Sequence, residues 1–292
     1  MCGYTEIKYF LRSSLSIFAL LLYLPSNSQS FPDELPGLEL WLKADVGITI
    51  TNNLISQWDD QSGNGRNAIS QFNSTRPALI NSSLNGLPVV SFDGNIDFME
   101  FEEITNVRTV FWIIKESPLA NGILRRPLLG HPGGLYYTRS LNEDFWDSAL
   151  ALPEVVNGLT RLNQENINGT NTVIPTEFSL ITLVTTGNTP ASHITMEASA
   201  FGRTWWGELA ELIIFSEELT TSQIQSIELY LANKYGPQYT PLPDVEIEYG
   251  FCDSTICVPP GFTSYLWSNS QTEPCIDAVS YTHLTLPTKR IV

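Results

Sequence analysis

Asp60, Ser62 and Asn64 alternate just ahead of Gly65. Three oxygen-bearing side chains followed by a residue suited to a sharp bend form the pattern that opens a calcium-binding loop. The twelfth position of such a loop is Gln71, which offers no carboxylate for bidentate coordination. The same run, Asp59-Asp60-Gln61-Ser62-Gly63-Asn64-Gly65, also suits Asx-type turns, in which side-chain oxygens accept hydrogen bonds from nearby backbone amides. Calcium binding and an ion-free turn are therefore both open uses of these residues.

Acid–base chemistry on a glycan would need two carboxyl groups about 5–5.5 Å apart in a retaining enzyme. Acidic pairs close in sequence include Glu208 with Glu211, Asp59 with Asp60 and Glu102 with Glu103. On a regular strand, residues one or three apart point to opposite faces, so none of these pairs converges. His131, His193 and His283 are far apart in sequence, with no HExxH spacing for zinc and no Gly-x-Ser-x-Gly elbow for a serine nucleophile. No cofactor is expected, and a hydrolase is the least favoured reading. Binding needs less. Tyr136, Tyr137, Trp146, Trp205 and Trp206 are candidate platforms for a sugar ring, and in each adjacent pair a strand would turn one ring inward and the other outward. Trp41, Trp58 and Trp112 are expected in the core or at its edge.

The elements that would position these side chains are short strands. Leu38–Leu42, Val89–Phe92, Thr109–Ile114, Phe178–Thr185 and Leu209–Phe215 are apolar or alternating runs bounded by Gly, Pro, Asn and Asp. Shorter candidates stand at 128–130, 135–137, 172–174 and 193–198. A single helix is expected over about 220–235. Thr220 with Gln223 forms a capping box, Ile224, Ile227 and Leu231 make one apolar stripe, and Gly236-Pro237 ends it, with a left-handed glycine expected. Many strands with one late helix argue for an all-β sandwich rather than a doubly wound fold.

Five blocks, in order, carry a resemblance: LELWLKAD from Leu38, WDDQSGNG from Trp58, GLPVVSFDG from Gly86, GELAE from Gly207 and YLANKYG from Tyr230. Over about residues 35–236 they resemble the laminin-G-like, concanavalin A-like lectin/glucanase superfamily, with the domain expected to span 31–236. The resemblance implies a jelly-roll sandwich of two antiparallel sheets, used as a non-catalytic module in secreted or surface-attached proteins. It implies a glycan or a surface protein as partner. A structural spacer that binds protein alone is the alternative, and a glycoside hydrolase comes third.

The chain around this block has other parts. Lys8 and Arg12 precede an apolar run from Leu15 to Leu24 and the small residues Ser28-Gln29-Ser30, so residues 1–30 are expected to be a secretory signal. Export outside the cell, with no stable membrane span once the signal is removed, follows from that reading. Residues 237–243 carry three prolines and read as a stiff linker. Residues 244–278, with DSTIC and SYLWSN, resemble the start of an immunoglobulin-like or PKD-like repeat. From Val279 the run VSYTHL resembles translated sequencing-adapter sequence or a disordered tail, so genuine sequence is expected to stop near Ala278. Three of the four cysteines, Cys252, Cys257 and Cys275, fall in this last part, and their pairing is open. Residues 31–278 hold 11 basic against 30 acidic side chains, a net of −19, which repels phosphate backbones and argues against nucleic acid as a partner.

Overall fold

Residues 32–120, 126–196 and 204–236 are described by the computed structural model, together with the backbone of 253–257 and 275–279. The expected signal (1–30), the linker (237–243) and residues 280–292 lie outside the described residues, as does most of the 244–278 segment. In chain order the strands are β1 (Leu38–Lys43), β2 (Ile48–Thr51), β3 (Leu54–Trp58), β4 (Ala68–Ile69), β5 (Ala78–Leu84), β6 (Leu87–Asp93), β7 (Met99–Glu116) and β8 (Leu129–Gly130). A single-turn helix α1 (Pro153–Val156) precedes β9 (Leu159–Leu162), β10 (Glu165–Ile167), β11 (Ser179–Ile194) and β12 (Trp206–Phe215), and helix α2 (Thr221–Tyr235) follows. The fold is all-β, and every pairing is antiparallel. Among the described residues no helix is long and apolar enough to cross a membrane.

All twelve strands belong to one hydrogen-bonded sheet, with the main order β10-β9-β11-β7-β12-β6-β5. Continuity comes from two long strands, β7 with 18 residues and β11 with 16, which pair along most of their length. Register shifts between Val184 and His193 mark irregularities where such a pair bends. Both halves of β7 contribute to the same apolar cluster: Met99, Phe101 and Ile104 from one end, Val110, Trp112 and Ile114 from the other. The strand thus wraps the core, and one curled sheet supplies the two layers that a jelly roll requires. The expected strand at 178–185 and the start of the one at 193–198 are parts of the single β11. The expected strands at 135–137 and 172–174 are not formed; Val173 makes only an isolated bridge to Asp144.

The central strands are buried on both faces. Leu209, Leu212 and Ile214 of β12 enter the cluster between the layers, while Ala210, Ile213 and Phe215 enter a second cluster beneath α2. Helix α2 starts as its sequence dictates: the Gln223 side chain accepts from the Thr220 amide at 2.8 Å, and the Thr220 hydroxyl accepts from the Gln223 amide at 3.4 Å. Ile224, Ile227, Leu231 and Tyr235 are buried against the sheet, each apolar side chain contributing about 1.5–3 kcal/mol by the area it removes from water. Gly236 departs from expectation. Its backbone is extended at φ −62°, and the helix closes through its amide donating to the Ala232 carbonyl at 2.8 Å. A Cβ there would lie 2.2 Å from that carbonyl oxygen, so close approach rather than a left-handed angle calls for glycine.

Candidate functional site

The strand registers align chemically useful side chains next to the end of β12. Glu208 sits directly opposite Ser91 of β6 on one side and Lys115 of β7 on the other. Directly opposed residues share a face, so the three form a row across three strands. One step along, Trp206 is opposite Asp93, and its carbonyl accepts from the Ser117 amide at 3.0 Å. Ser91, Lys115, Ser117, Trp206 and Glu208 line an open cleft of about 210 Å³ together with Pro118 and Gly207. The Lys115 ammonium lies 3.2 Å from Glu208 and 5.1 Å from the centre of the Phe178 ring, while the Ser83 hydroxyl donates to the second Glu208 oxygen at 2.9 Å. Trp206 is half-buried, with the Arg126 guanidinium 5.8 Å from its ring centre. A flat indole beside a carboxylate, an ammonium and two hydroxyls presents both an apolar face and hydrogen-bonding groups of both kinds.

Local backbone holds Trp206 in place. Gly94 has φ +71°, and a Cβ there would lie 2.3 Å from the Trp206 Cβ. The Asp93 carboxylate accepts from the amides of Asn95, Ile96 and Asp97 at 2.8–3.0 Å and so shapes the turn around that glycine. The Asp97 carboxyl is pushed up to about 7, first by burial and then by the neighbouring Asp93 charge. On the core side of the sheet, opposite Gly207, lies Glu116 in a buried ion pair with Arg139. Burial pushes its carboxyl up to about 7 against the pull of Arg139. Among the described residues, one Glu116 oxygen, the Arg139 Nε and two Arg126 nitrogens have no hydrogen-bond partner.

The other candidate platforms sit elsewhere. Tyr137, Trp146 and Trp205 are at most 1 % exposed, so their faces cannot receive a ligand, which corrects the platform role expected of them. The cause is packing: Trp205 lies against Phe92, Trp146 lies against Trp112 and Phe145, and the Tyr137 hydroxyl pairs with that of Thr189 at 2.7 Å. Tyr136 is half-buried, its ring 5.3 Å from that of His131, and it does not line the Trp206 cleft.

The Asp60 loop works as a tie between segments. Asp60 Oδ1 accepts from the Trp41 and Ser62 amides, both at 2.9 Å; Oδ2 accepts from the Ser62 hydroxyl at 2.7 Å and the Arg66 amide at 3.1 Å. Asn64 donates to the Leu38 and Glu39 carbonyls of β1. Both Asp60 oxygens are thus turned onto protein donors, and among the described residues no group of three or more His, Cys, Asp or Glu side chains is placed to hold a metal ion.

Glu208 and Glu211 overturn the parity expected from sequence. A register shift between Leu209 and Glu211 marks a bulge, which places Ala210 and Glu211 on the same side as Glu208. The two still work apart. Glu211 is fully buried, accepting from Trp41 Nε1 at 2.6 Å, the Tyr230 hydroxyl at 3.0 Å, the Tyr235 hydroxyl at 2.7 Å and Lys234 Nζ at 2.8 Å. It binds β1 and α2 to the sheet. Burial and the Glu211 charge push both tyrosine hydroxyls upward.

His131 and His193, distant in sequence, are brought near each other, while His283 lies outside the described residues. His193 lies 3.4 Å from Glu100 of β7 and 2.7 Å from the Ser192 hydroxyl, and His131 lies 3.1 Å from Glu103. Burial holds His193 below the usual imidazole range, with Glu100 opposing. Register explains the meeting, since His193 is opposite both Glu100 and Gly130. These residues do not line the Trp206 cleft.

Set against models of known protein families and against curated proteins, the chain matches none.

Proposed function

We propose that the protein is a secreted, non-catalytic carbohydrate-binding module of the laminin-G-like, concanavalin A-like kind, which seats a sugar ring on Trp206. The observation that carries the reading is the row Ser91–Glu208–Lys115 alongside an accessible indole in one cleft. The axial C–H faces of a pyranose stack on the indole, its hydroxyls donate to Glu208, and Lys115 and the serines supply donors in return. Binding rather than hydrolysis is supported because Glu208 is the single carboxylate lining the cleft among the described residues, whereas glycosidic cleavage needs two. The ordered laminin-G-like blocks, the signal-like residues 1–30 and the acidic surface support the family, the export and the adhesive role within a larger protein.

The test is a glycan array and calorimetry on the full chain, with and without calcium, beside Trp206→Ala. Wild type binds at least one polysaccharide, and Trp206→Ala weakens it by about tenfold or more, as loss of a central aromatic contact does. Undiminished binding by Trp206→Ala places the site elsewhere. No binding to any glycan favours the alternative, a structural or protein-binding spacer.

A further inference from the structure

The described backbone of the C-terminal part is a two-stranded hairpin, β13 (Asp253–Cys257) with β14 (Cys275–Val279). The strands pair antiparallel with Asp253 opposite Val279 and Cys257 directly opposite Cys275. Directly opposed Cα atoms in such a ladder are about 4.5–5.5 Å apart, inside the span of about 4.4–6.8 Å that a disulfide bridges. The rival pairings fit poorly. Cys252 joins the chain at the far end of β13, and the extended stretch from Asp253 to Cys257 is about 13 Å long at 3.3 Å per residue. A bridge from Cys252 to either other cysteine would have to fold the chain back across that ladder.

We propose that Cys257 and Cys275 form an intrachain disulfide, leaving Cys252 as the odd thiol of this segment. The bond arises by exchange with a disulfide oxidant such as oxidised glutathione. The thiolate of one cysteine attacks the oxidant and expels one glutathione thiolate. The second cysteine then attacks the mixed disulfide and expels the other. Two protein thiols are oxidised, one glutathione disulfide is reduced, and the protons pass to the departing thiolates. The bridge closes the 17 residues from 258 to 274, and it staples a hairpin whose two five-residue strands pair only with each other among the described residues; two-stranded hairpins by themselves are marginal in water.

Peptide mapping of the full chain, oxidised in a glutathione buffer and then alkylated without reduction, tests this. The expected result is one linked peptide pair holding Cys257 and Cys275, with Cys2 and Cys252 alkylated, and Cys252→Ser keeps the link. Oxidation in concentrated urea loses the selectivity if the hairpin register causes it. A bridge from Cys257 or Cys275 to any other cysteine, alkylation of all four, or equal selectivity in urea overturns the proposal.

Discussion

Replacing Glu211 by alanine removes a fully buried carboxylate that accepts four hydrogen bonds from two elements, one from β1 and three from α2. Lys234 keeps Asp45 at 3.0 Å and stays 18 % exposed, so its loss is small. Trp41 Nε1, in a residue 6 % exposed, has no second acceptor among the described residues, and the Tyr235 hydroxyl, in a residue 7 % exposed, keeps only the long bond to the Ala210 carbonyl at 3.4 Å. Each buried donor left without a partner costs about 1–3 kcal/mol, and breaking a buried charge pair costs about 3–5 kcal/mol in all. A loss of about 3–5 kcal/mol is therefore expected, lowering Tm by on the order of 10 °C for a domain of this size. Glu208→Ala is the internal control. It removes a carboxylate from the same face of the same strand, but its side chain is 19 % exposed to solvent, and such pairs contribute about 0–1 kcal/mol. Urea denaturation followed by tryptophan fluorescence and circular dichroism measures both variants, with Glu211→Gln as a milder substitution that retains one acceptor oxygen. A cost for Glu211→Ala below about 1 kcal/mol, or equal to that of Glu208→Ala, refutes the claim that this network fastens α2 and β1 to the sheet.

Two further substitutions probe the cleft and its turn. Gly94→Ala should cost about 1–3 kcal/mol from the positive φ alone, and its methyl group must displace Trp206; weakened glycan binding in a protein with native circular dichroism is the expected outcome. Asp97 supplies a pH test with a definite sign. Its carboxyl is raised from 3.8 to about 7 in the folded protein, so between those values the native state holds a proton that the unfolded chain has released, and its contribution to stability falls as pH rises through that window. Asp97→Asn removes the ionisation. The urea midpoint of the variant relative to wild type should therefore rise between pH 4 and about 7 and level off above it, whereas a constant offset would contradict the burial of this carboxyl.

The sequence alone determined the features that depend on neighbours in the chain. Thr220 and Gln223 set the start of α2, Ile224, Ile227 and Leu231 set its buried stripe, and apolar runs marked β1, β6 and β12. These follow from short-range geometry, helical period and strand alternation, which a linear pattern records. The pattern did not reveal β5, β9 and β10, whose exposed or mixed residues lack a clear alternation, nor that two separate runs join in β11. The candidate site was half legible. Trp206 was visible as an aromatic beside another, but its distinction from Trp205 arises only because Trp205, just ahead of β12, is packed into the core. Ser91, Lys115 and Ser117 carried no signal at all, since Ser91 and Lys115 become neighbours of Glu208 only through pairing across β6 and β7, and Ser117 reaches Trp206 only through the backbone bond just beyond β7. Tertiary structure also decided the roles of the two glutamates. The bulge at Ala210–Glu211 cancels the parity that would separate them, and burial then assigns Glu211 to holding the fold together and Glu208 to the open cleft. One extra residue in a strand is invisible in sequence because it is fixed by the register of the partner strand, and only the folded sheet supplies that partner.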